Sequence, residues 1–168
     1  MPAGSLTPND GGEMVVGGLP NTGDHISKTV VVDDRRLFVN IGSASNSCQV
    51  ANRVAQSPGV FPCPELPVRA GVWLFDARGT NQTEASGTHY ATGYRNLVAP
   101  AMNPANRELY TVQQGRDMLF ENWPQFYTQD RTANLPAEEL ARVFKRGEWR
   151  CSSSRRGGRE SRASVDAW

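Results

Sequence analysis

Two stretches of the chain follow one plan, in which an apolar run, a polar turn and a second apolar run succeed each other. They are "TVVVDDRRLFVNIG" (29–42) and "APAMNPANRELYTVQQG" (99–115), and each is typical of a β-hairpin. The triplet "LFV" in the first matches "LYT" in the second. Once the cysteine-containing loop between them is set aside, the repeat is about 47 residues long, the length of a four-stranded propeller blade. Together with sixteen Gly and eleven Pro, it predicts an all-β fold and indicates a β-propeller, with a sandwich or an open barrel as the alternatives.

The length of the chain, 168 residues, limits how much of a propeller it can form. A propeller closes with at least four blades of about 45 residues each, so this chain supplies about three. We therefore expect an incomplete propeller over residues 18–144, preceded by an N-terminal remnant at 1–17. Residues 145–168 carry seven basic and three acidic side chains without an apolar period, which predicts a disordered C-terminal tail.

Charge and hydropathy argue against two classes of partner. Residues 1–144 carry more acidic than basic side chains, so we expect no nucleic-acid binding. No run of about 18 apolar residues is present, so we expect no membrane span. The opening residues, "MPAGSLTPNDGG", also lack the basic and apolar regions of a signal peptide.

The cysteines indicate a disulfide. Cys48 and Cys63 lie in one Pro-, Ser- and Asn-rich stretch, and we predict that they pair. A bridge closing a loop of that length contributes roughly 3 kcal/mol to stability in the loop-entropy account. The alternatives are two free thiols or, less favoured because no CxxC or neighbouring His accompanies them, a metal site. A disulfide implies an oxidising compartment.

Polar residues with possible chemistry precede both hairpins. Asp24-His25 precedes the first, where the carboxylate could orient an imidazole acting as general base; the alternative is a surface turn closed by Asp24. Arg95-Asn96 occupies the equivalent place before the second hairpin, where the two side chains could stabilise a developing oxyanion or simply be solvated. A Gly-containing turn at Gly115 ends that hairpin, and its backbone carbonyls are of the kind that ligate Ca²⁺.

Two segments, "GDHISKTVVVDDRRLFVNIGS" and "ATGYRNLVAPAMNPANRELYTVQQG", resemble the soluble glucose/sorbosone dehydrogenase family, with similarity over residues 18–143. The family consists of six-bladed propellers that use pyrroloquinoline quinone (PQQ) and Ca²⁺. The resemblance implies that His25 is the general base, supported by Asp24, and that Arg95 and Asn96 contact the quinone. It also implies that the backbone carbonyls of Gly115 and Arg116 bind the Ca²⁺.

The sequence departs from that family in two places. Arg116 stands where some members have proline, a change that a carbonyl ligand tolerates. The segment "LPAEELARVFKRGEWRCSSS" begins like the family's but then loses a Gly-Asp/Asn-Tyr-Gly-Trp-Pro motif.

The resemblance implies part of a periplasmic or secreted PQQ-dependent sugar or aldose dehydrogenase, which takes a small sugar and passes electrons to an external acceptor. Because an open propeller lacks much of its binding pocket, we expect little activity from this chain alone. Two alternatives stay open: a Ca²⁺-dependent lactonase propeller, and a non-catalytic propeller that binds carbohydrate or protein.

Overall fold

The computed structural model describes residues 11–135, 138–145 and 147–148. Strands dominate the described residues, and the only helices in this part of the chain are short. The strands are β1 (Val30–Asp33), β2 (Arg36–Ile41), β3 (Gly71–Asp76), β4 (Thr88–Thr92), β5 (Leu97–Asn103), β6 (Glu108–Gln113), β7 (Glu139–Val143) and β8 (Gly147–Glu148). The helices are α1 (Leu119–Asn122), α2 (Gln129–Asn134) and a 3₁₀ turn at Glu84–Ser86.

The strands form two sheets, with orders β1-β2-β3-β4-β8 and β5-β6-β7. Neighbours are antiparallel except for β4 and β8, which are parallel. Each sheet begins with one of the two repeated hairpins, and the first strands of the two sheets, β1 and β5, contact each other. The all-β, partial propeller-like fold is therefore confirmed. Two sheets lie among the described residues, whereas the blade length predicted about three blades across the whole chain.

Other expectations about organisation fall largely outside the described residues. The predicted disorder concerns residues 145–168, of which the structure describes only 145, 147 and 148. The boundaries at 17/18 and 144/145 stay predictions. No helix among the described residues combines the length and apolar character needed to cross a bilayer.

The first hairpin shows how the sequence fixes the strands. Its turn contains Asp34, whose φ of 56° lies in the left-handed region that a tight two-residue hairpin turn requires. The preceding residue, Asp33, accepts hydrogen bonds from Arg36 in the same hairpin and from Nη2 of Arg107, at 2.7 and 2.8 Å, in the second hairpin. One carboxylate thus ties the turn ends of both hairpins together.

The first sheet is buried on both faces. One face packs against the second sheet in a cluster of Phe38, Val72, Ala91, Tyr94, Leu97, Leu109, Ala141 and Val143. The other face buries Leu37, Val39, Ile41, Trp73 and Phe75 beneath residues near the N-terminus. Burial on both sides explains why "LFVNI" is apolar at four of five positions instead of alternating, with Asn40 as a buried polar residue. Truncating a side chain such as Phe38 to alanine would cost about 3–5 kcal/mol.

Four loops meet at one end of both sheets, which we call the rim. They precede β1 (23–29), join β2 to β3 (42–70), join β4 to β5 (93–96) and join β6 to β7 (114–138, of which 136 and 137 are not described). The pairing registers place the loop ends side by side, since Ile41 lies opposite Gly71 and Leu97 opposite Gln113. All the polar residues singled out in the sequence lie on this rim, a common place for functional groups on a rigid scaffold.

The predicted disulfide is present in the longest rim loop. Cys48 and Cys63 are joined, with their Cα atoms 6.0 Å apart, so the alternatives of free thiols or a thiolate metal site are excluded. We call residues 44–68, which contain the bridge, the disulfide loop.

Candidate functional site at the rim

His25 lies in the loop before β1, and its ring is held by Ser43 at the end of β2. Nδ1 of His25 is 2.9 Å from the carbonyl oxygen of Ser43 and 3.0 Å from its hydroxyl oxygen. The Ser43 hydroxyl donates its own proton to the carbonyl of Ser45, at 2.6 Å, so both Ser43 oxygens accept from the imidazole. The proton therefore sits on Nδ1, and Nε2 keeps a lone pair. A neutral imidazole with Nε2 unprotonated is the form that a general base requires.

The surroundings of His25 keep it neutral. Burial lowers its pKa most, and the positive charges of Arg95 and Arg53 lower it further. The hydrogen bond to the Ser43 carbonyl and the charge of Asp24 oppose this shift without reversing it. The imidazole is thus unprotonated over a wider pH range than a free histidine.

Arg95 lies in the loop before β5 and is almost completely buried, with 3% of its side chain exposed. Its Nε donates to the carbonyl of Asn46 at 2.8 Å, and its Nη2 donates to Oδ1 of Asn46 and to Oδ2 of Asp117, both at 2.8 Å. Burial lowers the pKa of Arg95, and the charge and hydrogen bond of Asp117 oppose that shift. Nη1 has no hydrogen-bond partner among the described residues, so the guanidinium is anchored on one side and has donors to spare on the other.

Ser43 and Gly42 bring the two predicted positions together. The Ser43 amide donates to the carbonyl of Arg95 at 2.7 Å, while its two oxygens hold His25. Gly42 leaves no room for a side chain, because an added Cβ would lie 2.6 Å from the Cβ of His25 and 2.9 Å from Oδ1 of Asn96. His25, Arg95 and Asn96 therefore converge on one part of the rim, although they are some seventy residues apart in the chain.

Asn96 connects this cluster to the predicted calcium turn. Its Oδ1 accepts from Nδ2 of Asn40 at 3.2 Å, and its own Nδ2 donates to Oε1 of Gln114 at 2.6 Å. The Gln114 amide returns a bond of 3.0 Å to the Asn96 carbonyl. Because Gln114 immediately precedes Gly115, the amide of Asn96 and the turn are held in a fixed relation.

The Asp24 carboxylate contacts the disulfide loop. Its two oxygens accept from Nδ2 of Asn52 at 3.1 Å and from Nε of Arg53 at 2.7 Å. Burial raises its pKa, but these bonds and the charge of Arg53 outweigh burial, so the pKa falls below the usual value and Asp24 is ionised. The imidazole contacts described above come from Ser43; the support of His25 by Asp24 is electrostatic and, as a catalytic role, stays a prediction.

The turn at Gly115 and Arg116 has one carboxylate bonded to it. The Gly115 amide donates to Oε2 of Glu138 at 3.2 Å. Two residues earlier, Oε1 of Gln113 is buried and accepts no hydrogen bond among the described residues. A buried amide oxygen without a donor at the end of β6, and a carboxylate bonded to the Gly115 amide, are oxygen atoms of the kind that Ca²⁺ takes as ligands. The metal-binding role of Gly115 and Arg116 stays a prediction.

Four residues of the site were not singled out from the sequence: Ser43, Asn46, Arg53 and Asp117. Asp117 follows Gly115 by two residues, and Asn46 and Arg53 lie close to Cys48 in the sequence, yet no local pattern distinguishes them from ordinary polar loop residues. The order of the predicted strands could have pointed to these residues, because the loops that join β2 to β3 and β6 to β7 must lie on the same rim as His25.

The chain is similar to two solved structures, both of a Trichoderma reesei carbohydrate-active enzyme of family AA12. The iodide structure has a TM-score of 0.58 and 20% identity, covering 82% of this chain and 33% of its own. The calcium structure has a TM-score of 0.54 and 21% identity, covering 78% of this chain and 30% of its own. This chain thus spans about a third of the length of those structures. At such identities the likeness shows the fold alone.

The resemblance to the soluble glucose/sorbosone dehydrogenases is wrong. No protein-family model matches the chain and no curated protein matches it, while the similar solved structures belong to family AA12. The segments that carried the resemblance are the two hairpins and the turns beside them. Alternating apolar residues and Asn, Asp or Gly turns are what any such hairpin needs, so short matches of this kind do not identify a family.

Proposed function

We propose that this chain forms part of a carbohydrate oxidoreductase, in which His25 deprotonates a sugar hydroxyl whose carbon gives up a hydride to PQQ. The observation that carries the proposal is the neutral His25 imidazole, with Nε2 available, beside the donors of Arg95 and Asn96. That the similar solved structures are of a carbohydrate-active enzyme supports a sugar as the substrate.

The residues of the site have distinct parts in this chemistry. Nε2 of His25 accepts the hydroxyl proton, while Nδ1–H stays on the Ser43 carbonyl and keeps the ring in place. The free donors of Arg95 and Asn96 are suited to carbonyl oxygens of a quinone, where they stabilise negative charge. PQQ, when bound, supplies the acceptor for the two electrons and the hydrogen that leave the sugar carbon, which becomes a carbonyl carbon.

The turn at Gly115 and Arg116 would hold Ca²⁺ through its backbone carbonyls, with the Glu138 carboxylate, which accepts from the Gly115 amide, as a further oxygen ligand. Ca²⁺ prefers carbonyl and carboxylate oxygens. One of the similar solved structures is a calcium structure. The link from Gln114 to Asn96 would place the ion next to the quinone-binding donors.

The disulfide supports one cellular setting over others. A bridge between Cys48 and Cys63 persists in oxidising compartments, which supports a periplasmic or secreted protein. An external electron acceptor would then regenerate the quinone. Because the chain spans about a third of the similar structures, we expect slow turnover from this chain alone.

The test is a titration of PQQ, with Ca²⁺ present, into the 168-residue chain, followed by visible absorbance. We expect a saturable spectral change in the wild type, a weaker one in Asn96→Ala, and wild-type behaviour in Arg78→Met. Arg78 lies at the opposite end of the sheets in an exposed ion pair with Asp34, so its substitution is a control away from the rim.

A second stage adds an aldose to the PQQ-bound chain. Reduction of the bound quinone is expected in the wild type and not in His25→Gln, which should still bind PQQ. The proposal fails if the wild-type chain does not bind PQQ. It also fails if the bound quinone is reduced in His25→Gln at the wild-type rate. Lactone hydrolysis without PQQ binding would favour the lactonase instead.

A further inference from the structure

We propose that Arg53, in the disulfide loop, is a positioning residue that fixes the carboxylate of Asp117 and, through it, the guanidinium of Arg95. The functional meaning of this inference rests on the proposed role of Arg95 toward the quinone. The effect of Arg53 on the guanidinium of Arg95 can be measured without any quinone.

The guanidinium of Arg53 joins three parts of the rim. Its Nε donates to Oδ2 of Asp24 at 2.7 Å, and its Nη2 donates to Oδ2 of Asp117 at 3.1 Å. Its Nη1 lies 3.4 Å from the sulfur of Met118. The rigid planar fork of arginine can hold two carboxylates in fixed directions at once, whereas the single ammonium of lysine cannot reproduce that geometry.

Asp117 passes this restraint to Arg95. The same Oδ2 atom that accepts from Arg53 also accepts from Nη2 of Arg95 at 2.8 Å. The Asp117 side chain is 55% exposed, yet it is the carboxylate paired with a guanidinium that is only 3% exposed. Asn46 holds the Asp117 main chain, since it accepts from the amide at 3.0 Å and donates to the carbonyl at 2.8 Å. Among the described residues, Arg53 is the other group that restrains the carboxylate itself.

The backbone around Arg53 is strained and held in place. Arg53 has φ of 59°, and Cys48 and Gln56 in the same loop have φ of 51° and 58°. Met118, the residue that contacts Arg53 across the rim, has φ of 58°. Left-handed conformations of non-glycine residues cost energy and persist where the surroundings over-determine them, commonly at functional sites.

The disulfide supplies the constraint that such a loop needs. It closes the loop on both sides of Arg53, and the Gln56 amide adds a 2.8 Å bond to the carbonyl of Asn122 beyond Met118. The loop therefore presents Arg53 to the two carboxylates in one orientation.

The test measures hydrogen exchange at Nε–H of Arg95, by NMR on the ¹⁵N-labelled chain, because that proton is bonded to the Asn46 carbonyl. We expect exchange to become about tenfold faster in Arg53→Met, as the loss of one hydrogen bond to a charged group implies. Arg53→Lys should recover only part of the protection. Arg78→Met, which loses an exposed ion pair with Asp34 at 3.2 Å, should leave exchange unchanged.

A double variant tests whether Arg53 acts on Arg95 through Asp117. If Arg53 acts through Asp117, then Asp117→Asn should also speed exchange, and the double variant should match Asp117→Asn alone. The proposal is overturned if Arg53→Met or Arg53→Lys lowers the melting temperature while Arg95 exchanges as in the wild type, since Arg53 would then hold only the loop. It is also overturned if the two substitutions are additive.

The quinone readout separates this inference from the proposed function. In a chain that binds PQQ, Arg53→Met should weaken binding by about tenfold, in step with the loss of Arg95 protection. If the wild type binds no PQQ, the proposed function fails, whereas the exchange measurement still decides whether Arg53 positions Arg95.

Discussion

Nδ1 of His25 lies 2.9 Å from the carbonyl oxygen of Ser43, and this contact orients the ring and places its proton on Nδ1. Ser43 lies two residues beyond the end of β2, and the acceptor that it offers belongs to the main chain. The tautomer of the imidazole therefore depends on a main-chain carbonyl, and the carboxylate of Asp24 pairs with the disulfide loop. The amide of Ser43 also donates to the carbonyl of Arg95. Ser43 therefore contacts both residues and fixes the position of one relative to the other.

The pH dependence of stability should carry the signature of His25. Its pKa is lowered in the folded state, chiefly by burial, from the usual value of 6.5. The unfolded chain therefore takes up this proton first, so the stabilisation is complete above pH 6.5 and is lost as the pH falls toward the lowered pKa. Unfolding by urea across that window should show a smaller pH dependence in His25→Gln than in the wild type.

A second histidine provides the control for that measurement. The pKa of His89 is also lowered by burial, so His89→Gln should remove a separate part of the same slope. Carboxylates with lowered pKa values, such as Asp24, affect stability in a different pH range. Their contribution to stability is lost only as the pH falls below about 3.8. An unchanged slope in His25→Gln would show that its pKa is not shifted.

The absence of a side chain at Gly42 should be essential to the site. In Gly42→Ala the new methyl would press on His25 and Asn96 at once, and overpacking of this kind costs about 1–3 kcal/mol. Gly59→Ala is the matched control in the disulfide loop, because nothing lies within 4 Å of its added Cβ. Chemical denaturation and PQQ titration should both distinguish the two variants; equal behaviour would contradict the close approach at Gly42.

The disulfide should matter for the site as well as for stability. Replacing Cys48 and Cys63 by serine, in a background where Cys151 is already serine, should cost roughly 3 kcal/mol in the free energy of unfolding. It should also loosen Arg53 and Asn46, and hence Arg95, so the exchange of the Arg95 Nε–H should rise even where the chain is folded. A variant that loses stability but keeps this protection would show that the loop holds its shape without the bridge.

Calcium binding can be tested at the turn of Gly115. Replacing the nearby carboxylate in Glu138→Gln should weaken Ca²⁺ binding, measured by calorimetry on the intact chain, because Ca²⁺ prefers charged oxygen ligands. Glu84→Gln, in the 3₁₀ turn away from the rim, is the control and should bind as the wild type does. Identical affinities in the two variants would remove Glu138 from the site.

The sequence predicted the sheet elements better than the contacts between loops. Apolar runs and their turn residues placed both hairpins within about two residues, and the repeat placed His25 and Arg95 at equivalent positions. The roles of Asn46, Arg53 and Asp117 depend on contacts between rim loops that are far apart in the sequence. No local pattern encodes such contacts, and the short matches that suggested a family reflected hairpin chemistry.

The most direct test of the account is ¹⁵N NMR of the His25 ring at neutral pH, before and after addition of PQQ and Ca²⁺. We predict that Nδ1 carries the proton, that Nε2 has the shift of an unprotonated nitrogen, and that the Nε2 signal moves on saturation with PQQ. An Nε2 that is protonated in the free chain, or a ring signal that does not respond to PQQ, would contradict the assignment of His25 as the base of an oxidoreductase site.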